Sequence, residues 1–204
     1  MSSKGSPYDA KVVAVTELQQ GKWIQTRSIK YHDPNGNERL WEMAVRTTTS
    51  KTLNIDAVSI VPILKHPSKP DEIVMIKQFR PPTEKVVIEL PAGLVDPNET
   101  VELTAIRELI EETGYYGKFV KQSIPMVSDP GLTNASMVLA YVDVDLTDSR
   151  NVNPEPKLEE GEFIETFRLP VQGLLQNLLE LVDKEGCTVD ARLYHLAVGL
   201  LLVE

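Results

Sequence analysis

The segment GLVDPNETVELTAIRELIEETGY, Gly93 to Tyr115, decides how this chain is read. Thr100 suits a helix N-cap, Glu102 puts a negative charge in the first turn where the helix dipole favours it, and Gly114 ends the helix in a left-handed turn. A helix is therefore expected from Thr100 to Thr113. At about 100° per residue, Glu108 and Glu112 lie one turn apart with Glu111 beside them, while Ala105, Ile106 and Leu109 supply a packing face. Like charges at this spacing cost roughly a few tenths of a kcal/mol, so the pattern invites a bound cation. Oxygen-only ligands suit Mg²⁺, with Mn²⁺ as a substitute. The competing reading is a solvated acidic face, the commoner meaning of an acidic run on a helix.

Outward from this helix, the patterns on both sides are mixed. Upstream, AVSIVPIL from Ala57 and EIVMIKQF from Glu72 read as buried strands separated by a polar loop, His66 to Asp71, and VVIELPAG leads into the helix. Further upstream, Lys11 to Glu17, Trp23 to Tyr31 and Glu38 to Arg46 read as strands of a small antiparallel sheet, with Asp33-Pro-Asn-Gly36 as a turn. Downstream, MVLAYVDVD reads as a strand and residues 147 to 162 as a polar loop. Val171 to Lys184 and Val189 to Val203 read as helices. Strands and helices without regular βαβ repetition imply an α+β fold.

Composition narrows the function. With 30 acidic against 21 basic side chains and a net charge of −9, the chain has no basic surplus for a nucleic-acid polymer or an anionic membrane. Cys187 is the only cysteine, which excludes an intrachain disulfide or a cysteine zinc cluster and fits a reducing compartment. The start of the sequence lacks the apolar stretch of a signal peptide, and AVGLLLV is too short to span a bilayer, so a cytoplasmic or nuclear protein is expected. The three histidines show no metal-ligand spacing. No GxSxG, HExxH or Walker pattern occurs.

The spacing in Gly93 to Tyr115 is glycine, five residues, Glu, seven residues, then Arg-Glu-apolar-any-Glu-Glu-any-Gly-apolar. It is met at Gly93, Glu99, Arg107, Glu108, Leu109, Glu111, Glu112, Gly114 and Tyr115 without a departure. Chance agreement is on the order of 10⁻¹⁰ per window. The segment resembles the Nudix box. The strings GKW at 21–23, WEMAVRT at 41–47, KQFRPP at 77–82, ELPAGLVD at 89–96, DPGLTN at 129–134, EGEF at 160–163 and TVDARLY at 188–194 extend the resemblance to the ADP-sugar (ADP-ribose) pyrophosphatases of animals and fungi.

That resemblance implies a Nudix αβα sandwich around a mixed sheet for residues 53–204, and an N-terminal antiparallel β segment, 1–52, that serves dimerisation and adenine binding. It implies metal ligands at Glu108, Glu112, the Ala92 carbonyl and Glu162. Glu162 is also the general-base candidate, with Glu159 and Glu160 as rivals. Glu111 would hold a metal or a bridging water, Arg107 would orient a carboxylate, and Glu99 would brace the box. Trp23 and Trp41 would sandwich an adenine, although from sequence alone core or interface packing suits them equally. Glu42 would meet the adenine edge, Arg46 and Arg80 the ribose or phosphates, Leu94 the pocket wall, and Asp129 the terminal ribose from the other subunit. Ordinary ion pairs for the arginines and turn chemistry for Asp129 are the alternatives. The implied activity is Mg²⁺-dependent hydrolysis of ADP-ribose and related ADP-sugars to AMP and a sugar phosphate by a homodimer. Hydrolysis of a nucleoside triphosphate, an oxidised nucleoside diphosphate or a dinucleotide is the alternative, and a silent nucleotide-binding module comes behind it.

Overall fold

A computed structural model of the chain describes residues 6–48 and 55–203; the expected boundary between 52 and 53 falls outside them. The backbone gathers into two units, Met1–Asp56 with Pro125–Met137, and Ala57–Ile124 with Val138–Glu204. In the first unit, β1 (Lys11–Gln20), β2 (Ile24–His32) and β3 (Glu38–Arg46) form an antiparallel sheet in the order β1-β2-β3. The β2–β3 turn is held by Asp33, whose Oδ1 accepts the amides of Asn35 and Asn37 at 2.9 Å each, and Gly36 takes the positive φ of 79° that the turn requires. Residues 125–137 return to this sheet: the Ala44 amide donates to the Leu132 carbonyl at 2.9 Å.

The second unit is built on β4 (Ala57–His66), β5 (Lys69–Arg80), β6 (Lys85–Glu89), β7 (Ala92–Leu94), α1 (Val101–Thr113) and β8 (Lys118–Gln122). After β9 (Met126–Val127), which lies in the first unit, come β10 (Ser136–Asp145), β11 (Ile164–Pro170), α2 (Leu174–Glu185), β12 (Thr188–Val189) and α3 (Ala191–Leu201). The strand order is β12-β6-β5-β4-β10-β8, with β11 beside β5, β7 on β4 and β9 on β10. The β12–β6 pair is parallel and β4–β5, β5–β6 and β10–β8 are antiparallel, so the sheet is mixed, as expected for α+β.

Alternation along β5 separates the two faces. Ile73 and Met75 pack with Leu174 and Leu178 of α2 and Leu193 and Ala197 of α3; Val74 and Ile76, equally buried, point to the opposite side, where α1 lies against β4 and β5. The expected loop from His66 to Asp71 is a tight turn, because pairing continues through His66↔Lys69 and Leu64↔Glu72. There the hairpin end projects beyond the core, and backbone bonds hold it while its side chains stay polar. Four strands have no counterpart in the sequence reading, the two-residue β9 and β12 among them. β8, KFVKQ, is largely exposed, and β11, IETFRLP, pairs with β5 over seven residues although its apolar positions do not alternate cleanly.

Candidate active site

Local chemistry positions α1. Thr100 Oγ1 accepts the Leu103 amide at 3.2 Å, and Gly114 at φ 74° donates its amide to the Ile110 carbonyl at 2.9 Å. Only glycine fits there: a Cβ would stand 2.4 Å from the Glu155 nitrogen and 2.7 Å from the Pro154 carbonyl carbon. The helix buries Val101, Thr104, Ala105 and Leu109. Its other side, with Arg107, Glu108, Glu111 and Glu112, lines a cleft of about 330 Å³, together with Gln78, Arg80, Ala92, Gly93, Leu94, Asp96, Glu159 and Glu162.

Arg107 organises one side of this cleft. Its Nε and Nη2 donate to the two oxygens of Glu99 at 2.9 Å each, and Nη1 donates to Glu108 at 2.7 Å and Glu111 at 3.0 Å. Nη2 also reaches the Leu94 carbonyl at 3.2 Å. The Arg107 hydrogen bonds hold the Glu99 carboxyl down at about 2, and Thr104 Oγ1 adds a further bond at 2.8 Å. The repulsion expected between the helix glutamates is thus partly neutralised from within the chain. Glu108 nonetheless sits above the usual carboxylate range, because burial outweighs its ion pair with Arg107.

Glu112 is different. It is 4 % exposed, and its Oε2 accepts the Ala92 amide at 2.9 Å. Burial pushes its carboxyl up to about 8 against that hydrogen bond, and the charges of Glu108 and Glu162 add to the effect. On the loop before β11, Glu162 accepts the Glu159 amide at 3.0 Å. Glu159 and Glu162 line the cleft, whereas Glu160 is absent from its lining. Arg80 enters from the end of β5 and is forked on Glu89 at 2.6 and 2.7 Å.

Trp23, Trp41, Glu42, Arg46 and Asp129 belong to the first unit. Trp41 and Glu42 lie on β3 opposite Ile29 and Ser28, and Arg46 pairs with Ile24. Trp23 sits just before β2, exposed, with the Lys22 ammonium 4.4 Å from its ring centroid. The Trp41 indole donates to the Gly131 carbonyl at 3.1 Å, which ties it to the turn carrying Asp129.

The model of the NUDIX domain matches residues 53–187. The chain belongs to the Nudix family. It is 44 % identical over 205 residues to an ADP-ribose pyrophosphatase of Saccharomyces cerevisiae, covering 98 % of this chain and 88 % of that protein. It is 39 % identical over 201 residues to an ADP-sugar pyrophosphatase of Mus musculus, covering 98 % and 91 %. A crystal structure of an ADP compounds hydrolase shares the fold, with a TM-score of 0.66 and 19 % identity, covering 98 % of this chain and 95 % of that one.

Nudix hydrolases use a divalent metal, and the donor chemistry of this cleft fits one. Its lining carries Asp96 and five glutamates against Arg80 and Arg107, and the Glu108 carboxylate lies where a Cβ on Gly93 would stand, 1.7 Å away. Among the described residues, no three carboxylate, imidazole or thiol groups are gathered closely enough to hold an ion; Glu108 is turned to Arg107 and Glu112 to Ala92. No helix among the described residues is long and apolar enough to cross a membrane. The sequence reading passed over Gln78, Asp96 and Glu89. For Glu89 the signal is available, since an acid inside the apolar run VVIEL needs a partner.

Proposed function

We propose that this Nudix hydrolase cleaves the diphosphate bond of ADP-ribose and related ADP-sugars, with Mg²⁺ as its metal, giving AMP and a sugar phosphate. The observation that carries the reading is the acidic cleft on the box helix in a chain similar over nearly its whole length to enzymes of that activity. Glu108, Glu112 and the Ala92 carbonyl would hold the metal, with Glu162 completing the set. When bound, Mg²⁺ neutralises phosphoryl oxygens and makes water more acidic. Glu162 is the proposed general base: it is exposed on a loop at the cleft. Glu111 lines the same cleft and would hold a metal or a bridging water, while Arg107 and Glu99 keep the helix carboxylates in place. Arg80 offers N–H donors to the diphosphate, and Leu94 contributes to the pocket wall.

In the same reading, Trp23 and Trp41 stack on adenine, Glu42 meets its edge, Arg46 binds ribose or phosphate, and Asp129 meets the terminal ribose. A homodimer supplies these groups, with residues 1–52 exchanged between subunits. Support comes from β1, on which Val12, Val13, Val15 and Leu18 are all more than half exposed, an apolar strand suited to a partner surface. The free, buried Cys187 suits a reducing cytoplasm or nucleus.

The test compares product formation from ADP-ribose, ADP-glucose and a nucleoside triphosphate, with and without Mg²⁺, for wild type and Glu112→Gln. Mg²⁺-dependent AMP release from ADP-ribose that collapses in the variant is expected. Preference for the triphosphate would overturn the substrate assignment, and tight binding without turnover would make the chain a binding module.

A further inference from the structure

Glu89 ends β6 with its side chain only 7 % exposed, and burial of a carboxylate is unfavourable without a charge partner. Its partner is Arg80: Nε donates to Oε1 at 2.6 Å and Nη2 to Oε2 at 2.7 Å. The register explains how they meet. Ile76 faces Glu89, Gln78 faces Val87 and Arg80 faces Lys85 across the β5–β6 pair, so Glu89 and Arg80 share the sheet face that carries the cleft residue Gln78. The Arg80 side chain runs back along the strands to reach Glu89.

This fork uses two of the five N–H groups of a guanidinium. The other three, on Nη1 and the outer side of Nη2, have no partner among the described residues, and the Arg80 side chain is 44 % exposed in the cleft lining. Because guanidinium is planar and rigid, fixing one edge on Glu89 fixes the direction of the other. A second cation stands close by. The Asp190 amide donates to the carbonyl of Ile88, next to Glu89, at 2.9 Å, and Arg192 is forked on Asp190 at 2.8 and 2.6 Å. The Glu89 carboxylate is among the charges that favour the charged form of Arg192. This pair comes from TVDARLY, a string to which the sequence reading gave no role.

We infer that Glu89 is a positioning residue for phosphate binding: it does not touch substrate, but sets the plane in which Arg80 presents its remaining donors to a diphosphate, with Asp190 and Arg192 buttressing it. The inference rests on the reading of Arg80 as a diphosphate contact. A merely structural ion pair would instead contribute to stability and leave substrate affinity alone.

A double-mutant cycle on the full chain separates the two. Wild type, Arg80→Ala, Glu89→Gln and the double variant are compared by kcat and KM for ADP-ribose, by calorimetric Kd for ADP-ribose, and by melting temperature. Glu89→Gln alone should raise KM and Kd about tenfold, the scale of one charge-assisted contact, with kcat changed far less. In the Arg80→Ala background it should leave both where Arg80→Ala alone put them. Melting should run the other way: Arg80→Ala strands a buried carboxylate, and adding Glu89→Gln should recover stability. Affinity losses that multiply, or a Glu89→Gln variant with lowered melting temperature and unchanged affinity, would overturn the inference. Should Glu89→Gln fail to melt cooperatively, Glu89→Asp carries the same cycle, since it keeps the charge but shortens the reach. If wild type turns over no ADP-sugar, the proposed activity fails, and the Kd cycle still decides the role of Glu89.

Discussion

Arg107 grips Glu99 along one edge of its guanidinium, with both hydrogen bonds at 2.9 Å, while its Nη1 holds Glu108 and Glu111. One arginine thus ties the loop before α1 to two of the cleft carboxylates. The Glu99 carboxyl is lowered from 4.5 to about 2 in the folded protein, chiefly by this contact. A carboxyl lowered on folding stabilises the fold above its unfolded value and loses that contribution as pH falls through its folded value. The advantage of wild type over Glu99→Gln should therefore be complete above about pH 4.5 and vanish toward pH 2. Urea midpoints at pH 7, 4 and 3 measure it; a gap that does not change with pH would mean that charge plays no part.

Gly93 faces the Glu108 carboxylate so closely that a Cβ would stand 1.7 Å from Oε1. The obstacle is the end of a flexible side chain, so Gly93→Ala should fold with little loss while moving that carboxylate. Misplacement of a reacting-site group by about 1 Å can cost on the order of a hundredfold in rate. A fall of that order in kcat, with melting within a few degrees of wild type, is expected from paired kinetic and thermal measurements.

Gly114 presents the opposite case. Alanine there would take φ 74° and meet the backbone of Pro154 and Glu155, so the chain itself must move. The left-handed backbone alone costs roughly 1–2 kcal/mol, and the clash adds to it. Gly114→Ala should lower the melting temperature by at least about 2–4 °C per kcal/mol lost. It should also disturb the neighbouring bond from the Lys157 amide to the Glu111 carbonyl, 2.7 Å long. An unshifted melt would contradict this account of the helix end.

The core face of α1 can be tested against its exposed face. Leu109 is fully buried and Leu103 is 57 % exposed. Leu109→Ala should cost about 2–5 kcal/mol by transfer and cavity formation, whereas Leu103→Ala should stay within about 0.5 kcal/mol. Chemical denaturation of the two variants side by side measures the difference.

Features governed by local rules were legible in the chain. The cap at Thr100, the stop at Gly114 and the turn at Asp33–Gly36 depend on residues near each other, and the helical repeat brings Glu108, Glu111 and Glu112 to one cleft. Features that depend on distant partners were not. β11 is a strand because β5 offers seven places to pair, although IETFRLP lacks clean alternation. The pattern around Trp23 predicts a strand, yet Trp23 lies just outside β2, where turn geometry at Gly21 takes over: the Gly21 amide donates to the Ile24 carbonyl at 2.7 Å. The helix glutamates suggested a cation from outside, and part of that charge is supplied by Arg107, whose reach to Glu99 across eight residues spacing alone does not reveal. The return of residues 125–137 to the first sheet had no sequence signal, since bonds such as Ala44 to Leu132 are long-range backbone contacts.

That return sets an order of events on the ribosome. The Trp41 indole bonds to a carbonyl made 90 residues later. At about 5–20 residues per second, β1 to β3 wait roughly 5 to 20 s after their synthesis before this contact becomes possible. All of α1, with its glutamates, is translated in that interval. The sheet of β1 to β3 is thus made before α1 but closed only after it, and a nascent chain released before residue 137 carries that sheet without its closing segment.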